Sequence, residues 1–69
     1  MTQCERVLKY MDDFGSISSY QAMFDLGVGR LASRIHDLKR MGIAIATETH
    51  YGVNRYGEQT HYSVYRRAV

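Results

Sequence analysis

The chain has 69 residues, of which nine are Lys or Arg and seven are Asp or Glu, so its formal net charge is +2. We expect one small domain over residues 1–69, because a chain of this length buries only about 60% of its unfolded surface and cannot easily enclose a deep substrate pocket. The excess of positive charge is small. Any interaction with nucleic acid must therefore depend on where the basic residues lie.

Composition also bears on the compartment. No apolar run approaches the ~20 residues of a membrane helix, and the single Cys4 cannot form a disulfide within the chain. Acidic residues near the start, Glu5, Asp12 and Asp13, do not fit a signal peptide. We expect a cytoplasmic protein without a membrane partner.

A first helix is predicted from Thr2 to about Asp13. Thr2 and Glu5 have the spacing of a capping box, in which each side chain accepts a hydrogen bond from the other residue's backbone amide. Gly15 follows as a stop signal. Three apolar residues recur at helical spacing between these ends: Val7, Leu8 and Met11.

A second helix is predicted after a short Ser16-Ile17 connection, which is long enough for a strand of one or two residues. Ser18 and Gln21 repeat the capping-box spacing and begin this helix. Gly27 lies where a C-terminal cap needs positive φ. The predicted apolar side consists of Ala22, Met23 and Leu26.

A third helix is predicted to start near Gly29 and to end at Gly42. Its apolar stripe comprises Val28, Leu31, Ile35 and Leu38, with Ala32 beside it. The opposite side carries Arg30, Ser33, Asp37 and Arg40, with Arg34 on one flank and His36 on the other.

After Gly42 the hydrophobic period changes to two, which predicts a hairpin of residues 43–51 and 59–66 around a turn-rich loop. If His50 faces His61, then Thr47 faces Val64 and Thr49 faces Tyr62. That register places the more apolar set, including Tyr62, on one face. The order of elements predicts a mostly α fold with a β-hairpin, a winged helix-turn-helix of three helices plus a C-terminal wing.

The chain resembles a family of small winged helix-turn-helix domains from bacteriophages and prophages that are described as DNA-binding regulators. The resemblance extends from about Glu5 to Tyr65. It is carried by Leu26-Gly27-Val28, by the run from Arg30 to Leu38, and by Asn54-Arg55-Tyr56-Gly57. It implies a winged-helix fold and double-stranded DNA as partner. Similar domains have Thr or Ser at the place of Gly29, which we expect to cap the third helix here.

The third helix carries the first group of candidate DNA-binding residues: Arg30, Ser33, Arg34, Asp37 and Arg40. Arg30 and Arg34 can bond guanine edges in the major groove, and Ser33 can reach a base or a phosphate. We expect Arg40 to meet the DNA backbone. The alternative is a solvated face in which Arg34 or Arg40 pairs with Asp37.

The wing carries the second group, Asn54, Arg55 and Tyr56, which can enter a minor groove or contact phosphates. The alternative is an ordinary turn with Tyr56 packed back on the hairpin. Arg66 and Arg67 are interpreted as a solvated tail, with phosphate contact as the alternative.

Other chemistry is weakly indicated. His50, His61 and Glu48 make an incomplete zinc-ligand set. Six dispersed tyrosines do not form an obvious single-strand platform. Cys4 fits a small, partly buried hydrophobe. No catalytic constellation is recognisable, so we expect no enzyme, no cofactor and no metal.

These patterns favour sequence-specific binding of double-stranded DNA by a phage or prophage transcriptional regulator or accessory factor in the cytoplasm of a bacterial host. A lone module makes few contacts, which favours a homodimer. Two alternatives remain open: a protein-interaction module that binds and inhibits a host protein, and an excisionase-like factor that bends DNA.

Overall fold

The computed structural model describes residues 1–68. Its elements are α1 (Gln3–Phe14), β1 (Ile17–Ser18), α2 (Ser19–Leu26), α3 (Leu31–Arg40), β2 (Ile45–Val53) and β3 (Gln59–Arg67). This order confirms the predicted three helices followed by a hairpin. The short strand β1 pairs with β3, so the hairpin is part of a three-stranded antiparallel sheet of order β1-β3-β2.

Both predicted capping boxes are present. The Thr2 hydroxyl accepts a hydrogen bond from the Glu5 amide at 3.1 Å, and the Glu5 carboxylate accepts one from the Thr2 amide at 2.9 Å. Ser18 and Gln21 make the same reciprocal pair at the start of α2. Gly27 ends α2 with a φ of 68°, as its predicted role requires.

The core lies between the helices and one face of the sheet. The predicted stripe of α3 is confirmed, since Leu31, Ile35 and Leu38 are all buried. These residues pack with Val7, Met11, Ile17, Ala22, Val28 and Ile45. One expectation was wrong: Met23 is 51% exposed because it lies over the α2–α3 turn rather than in the core. Ala32, beside the stripe, is exposed.

Helix α3 begins two residues later than predicted. The amides of Gly27 and Val28 donate to the carbonyls of Met23 and Ala22 at 3.1 and 2.9 Å, so the turn stays bonded to the end of α2. Arg30, with φ −126° and ψ 63°, is therefore the N-cap residue of α3, and its side chain makes no capping hydrogen bond. The expectation that Gly29 caps this helix was wrong.

The predicted hairpin register is wrong by one residue, because the connecting turn has an odd number of residues. The Asn54 amide donates to the Glu58 carbonyl at 2.9 Å, and this pair closes a three-residue turn. Its last residue, Gly57, has a φ of 80°, which suits a turn of this length. The predicted register requires an even number of turn residues.

A shift of one residue exchanges the two faces of a strand. His50 lies opposite Tyr62 rather than His61, and Thr47 lies opposite Tyr65 rather than Val64. Tyr65 is consequently the tyrosine of β3 that packs against the core. Tyr62, which we expected there, is 48% exposed on the other face.

The hairpin makes the molecule elongated, with principal extents of 39 × 23 × 20 Å. Over residues 1–68, no helix has both the length and the apolar character required to cross a membrane.

Candidate nucleic-acid interface

The solvent-facing side of α3 is centred on Ser33 and Arg40. Ser33 is half-buried and Arg40 is exposed, which agrees with their predicted place opposite the core stripe. His36 and Lys39 are also exposed on this helix. Lys39 was missed from the sequence, although its position one residue after the buried Leu38 places it at the edge of the same surface.

Arg34 is only partly available at this surface. Its Nη2 atom lies 3.3 Å from Oδ2 of Asp37, and the side chain is 32% exposed. Its Nε atom is buried and has no hydrogen-bond partner among the described residues. Arg34 therefore makes the ion pair with Asp37 that the solvated-face alternative includes, whereas Arg40 makes no such ion pair within residues 1–68.

Arg30 stands at the start of α3. Its carbonyl accepts the first helical hydrogen bond, from the Arg34 amide at 3.2 Å, while its side chain is exposed. The first backbone amides of a helix lack partners within the helix and attract phosphate groups. Arg30 thus adds a full positive charge beside the positive end of the helix dipole.

At the tip of the wing, one of the three candidate residues is bonded within the turn and the other two are exposed. The Asn54 side chain is used within the turn, because its Oδ1 accepts hydrogen bonds from the amides of Tyr56 and Glu58 at 2.9 and 3.0 Å. Its Nδ2 donates to the Glu58 carboxylate at 3.2 Å. Arg55 is exposed, and Tyr56 is 83% exposed. The idea that Tyr56 packs back on the hairpin was wrong.

The ion pairs leave the positive charge unevenly distributed. Within residues 1–68, four basic residues pair with carboxylates: Lys9, Arg34, Arg66 and Arg67. The five that make no ion pair there are Arg6, Arg30, Lys39, Arg40 and Arg55. All of these except Arg6 lie on α3, at its N-cap or on the wing. The small net charge of +2 therefore hides a concentration of cations without ion pairs on α3 and at its N-cap, whereas Arg55 shares the wing turn with the carboxylate of Glu58.

Arg66 and Arg67 do not form a solvated tail, because both belong to β3. Arg66 Nη2 donates to Glu48 Oε1 at 2.9 Å, and Arg67 Nη1 donates to Asp12 at 3.1 Å. Hydrogen bonds from His50 and Arg66 lower the pKa of Glu48, and the bond from His50 has the larger effect. These contacts connect β3 to β2 and to α1, so both arginines make tertiary contacts within the fold.

No assembled metal-binding site is present in the described part of the chain. His50 and His61 are not cross-strand partners, and the observed register places them on opposite faces of the hairpin. Within residues 1–68, no three His, Cys, Asp or Glu side chains come together as a metal site would require. Cys4 is half-buried, with its Sγ 4.0 Å from the Arg34 carbonyl oxygen.

One exposed feature was missed from the sequence. The rings of Tyr20 and Phe24 stack on the outside of α2 with centroids 4.4 Å apart, and each side chain is 70% exposed. Their i,i+4 spacing indicates a shared helix face, but the spacing by itself does not show whether that face is buried.

A comparison with protein-family models matches residues 2–66 to a family described as winged helix-turn-helix domain. The matched segment runs from the N-cap of α1 almost to the end of β3. Neither the curated proteins nor the solved structures include a significant match to this chain.

Proposed function

Because the chain belongs to the winged helix-turn-helix domain family, we propose that it binds double-stranded DNA, with α3 in the major groove and the wing against the flanking backbone. The observation that carries this proposal is the charge distribution. Four of the five basic residues without an ion pair in residues 1–68 lie on α3, at its N-cap or on the wing. Phosphate neutralisation by such residues supplies much of the affinity of DNA-binding domains.

In this proposal the N-terminal half of α3 reads the bases. Arg30 is exposed and free of ion pairs to residues 1–68, so its planar guanidinium is available for two hydrogen bonds to one guanine. Ser33 lies one turn further along the helix and reaches a base edge or a phosphate. Lys39 and Arg40 follow the backbone near the C-terminal end.

The partly buried Arg34 has a different role in the proposal. Its pairing with Asp37 at 3.3 Å must be broken or shared before the guanidinium can bind a base. We therefore assign Arg34 and Asp37 to shaping the helix surface rather than to direct base contact. On the wing, Arg55 contacts phosphate or the minor groove, and the exposed Tyr56 packs beside the sugar-phosphate backbone.

A salt titration of binding to duplex DNA of mixed sequence tests this proposal, with fluorescence anisotropy as the readout. We expect affinity to fall steeply as salt rises, and Arg55→Ala to reduce the log–log slope by about 0.9, the value for one lost phosphate contact. Arg6→Ala is the matched control, since Arg6 is exposed and free of ion pairs to residues 1–68 but lies on α1. Equal effects of the two substitutions would remove the wing from the interface.

The biological role is the finer part of the proposal. We infer a transcriptional regulator or an accessory DNA-binding factor of a phage or prophage, acting in the bacterial cytoplasm, from the resemblance in the α2–α3 turn, in α3 and in the wing. A selection of bound fragments from a genomic library at one salt concentration tests it. Recovery of a defined site upstream of a gene supports regulation, whereas strong bending of the bound DNA supports an excisionase-like factor.

A second candidate function is a protein-interaction module that inhibits a host protein, and the stacked Tyr20–Phe24 pair favours it. Two aromatic side chains that are each 70% exposed are the kind of feature found at protein interfaces. The same salt titration separates the candidates. A chain that serves only as a protein-interaction module shows no salt-dependent binding to duplex DNA.

A further inference from the structure

The outer edge of strand β2 is the largest region of unsatisfied backbone in the sheet. Because the strand order is β1-β3-β2, β2 pairs with β3 on one side and with no described strand on the other. It runs for nine residues in continuous register with β3. An exposed edge of this length presents a row of backbone donors and acceptors that can pair with another strand.

The hydrogen bonds that flank the hairpin show which residues of β2 face outward. The Asn54 amide donates to the Glu58 carbonyl, and the Ala68 amide donates to the Ala44 carbonyl, both at 2.9 Å. In an antiparallel pair the hydrogen-bonded positions alternate. The even-numbered residues of β2 therefore bond to β3. The odd-numbered residues direct their amides and carbonyls away from it: Ile45, Thr47, Thr49, Tyr51 and Val53.

This edge has few of the devices that protect other exposed strands, and its one Asp or Glu side chain, Glu48, is bonded to His50 and Arg66 of the same chain. Proteins block such edges with Lys, Pro, bulges or short strands. The sequence of β2 has no Lys, Arg or Pro, and its register with β3 has no bulge. Tyr51 and Val53 are 68% and 71% exposed, so the edge also presents apolar side chains to solvent.

We propose that two copies of this chain form a dimer by antiparallel pairing of their β2 edges, centred on Thr49. With Thr49 opposite Thr49 of the second copy, all the outward-facing residues find hydrogen-bonding partners, because odd-numbered residues meet odd-numbered residues. This register is the one that overlaps all nine residues of the strand.

The side chains are self-complementary in this register. Ile45 lies opposite Val53 of the second copy, and Thr47 lies opposite Tyr51, so β-branched and aromatic side chains meet. Glu48 lies opposite His50 of the second copy. This is a pair without direct backbone hydrogen bonds, in which side chains approach most closely. An acidic side chain therefore faces an imidazole twice across the interface.

The other free edge of the sheet is less suitable. Strand β1 covers only Val64 and Tyr65 of β3, which leaves residues 59–63 unpaired on that side. Pairing two such segments about their centre brings His61 opposite His61 of the second copy and overlaps only this short stretch. Its Thr60–Tyr62 contact is of the same kind as Thr47–Tyr51 at the β2 edge, but this register has no opposite-charge pair and no aliphatic pair like Ile45–Val53.

The dimer joins the two sheets into one of order β1-β3-β2-β2-β3-β1. The two-fold axis of an antiparallel pair with hydrogen bonds at its centre is perpendicular to the sheet, so the helices of both copies lie on the same side. The arrangement is isologous and closed. It does not depend on DNA binding and is tested in the absence of DNA.

The test combines sedimentation velocity of the whole chain with hydrogen exchange followed by NMR. We expect a species of twice the 8.0 kDa mass, and amide protection at Thr47, Thr49 and Tyr51 that increases with protein concentration. Thr49→Pro removes an amide that faces away from β3, so the fold is retained. Because both copies carry the substitution, the interface loses two hydrogen bonds. We expect dimerisation to weaken by about thirtyfold or more.

His61→Pro is the matched control, because its amide also points away from β2 but lies on the other edge of the sheet. It should leave the dimer intact. Thr49→Lys is a second disrupting variant, which places like charges opposite each other at the axis. Circular dichroism verifies that each variant is folded. A wild-type chain that stays monomeric at high concentration, or a dimer insensitive to both Thr49 variants, overturns the proposal.

Discussion

Replacement of Ile35 by Ala tests whether the core stripe of α3 determines how the helix is held. Ile35 is 3% exposed at the middle of the helix. The substitution removes three carbon atoms, worth about 2.4 kcal/mol at ~0.8 kcal/mol each. Incomplete collapse of the resulting cavity raises the expected loss to about 3–4 kcal/mol. A domain of this size has a total stability of roughly 3–10 kcal/mol, so the loss is a large part of it.

Urea unfolding followed by circular dichroism measures this loss in free energy of unfolding. We expect the midpoint for Ile35→Ala to fall sharply, with partial unfolding in water if the parent stability is near the lower limit. His36→Ala is the matched control, since His36 is the exposed neighbour on the same helix and its loss should cost less than about 0.5 kcal/mol. If the Ile35→Ala and parent curves coincide, Ile35 does not belong to the core and the assigned outer face of α3 is wrong.

Two further predictions concern specificity and acid stability. Arg30→Ala should fold normally and keep weak, salt-sensitive binding to duplex DNA of random sequence. It should lose about 1–3 kcal/mol of discrimination between bases at one or two positions. Arg30→Lys should recover only part of this discrimination, because an ammonium group lacks the planar fork of a guanidinium. A binding-site selection at one salt concentration measures both, and an unchanged motif in Arg30→Ala would show that Arg30 does not read bases. Hydrogen bonds from Thr2 lower the pKa of Glu5 from its ordinary value of 4.5. The stability that ionised Glu5 contributes is therefore present above the pKa of the unfolded chain. It is lost as the pH falls through the lowered pKa of the folded chain. Unfolding curves across this acid range should show a smaller pH dependence in Glu5→Gln than in the parent, and equal dependence would contradict the capping role.

The helices were predictable because their signals are local. The capping boxes at Thr2 and Ser18 and the positive φ at Gly27 each depend on a few neighbouring residues. The start of α3 was missed because it depends on hydrogen bonds back to the end of α2. A glycine at position 29 indicates backbone freedom but does not show that the turn remains bonded to Ala22 and Met23.

The hairpin register and the availability of the candidate site residues could not be predicted from the polar and apolar pattern of the sequence. Alternation is compatible with two registers, and the choice was made by the Asn54–Glu58 pair that closes an odd-numbered turn. The Asn54 side chain forms hydrogen bonds within the turn, whereas the Tyr56 side chain is exposed, and the sequence pattern does not distinguish these two outcomes. Arg34 appeared equivalent to Arg30 in spacing, but its pairing with Asp37 made the two different.

The three-residue turn also limits how the wing can change length in related sequences. Residues added between Asn54 and Glu58 lengthen the turn but leave the partners of β2 and β3 unchanged while this closing pair is kept, and hairpin turns of four or five residues are also common. A residue inserted within β2 or β3 must instead be absorbed as a bulge, because otherwise the side chains beyond it move to the opposite face and Tyr65 leaves the core. Length differences among related wings should therefore be concentrated in the turn, so that the reach of Arg55 varies while the packed part of the sheet stays constant.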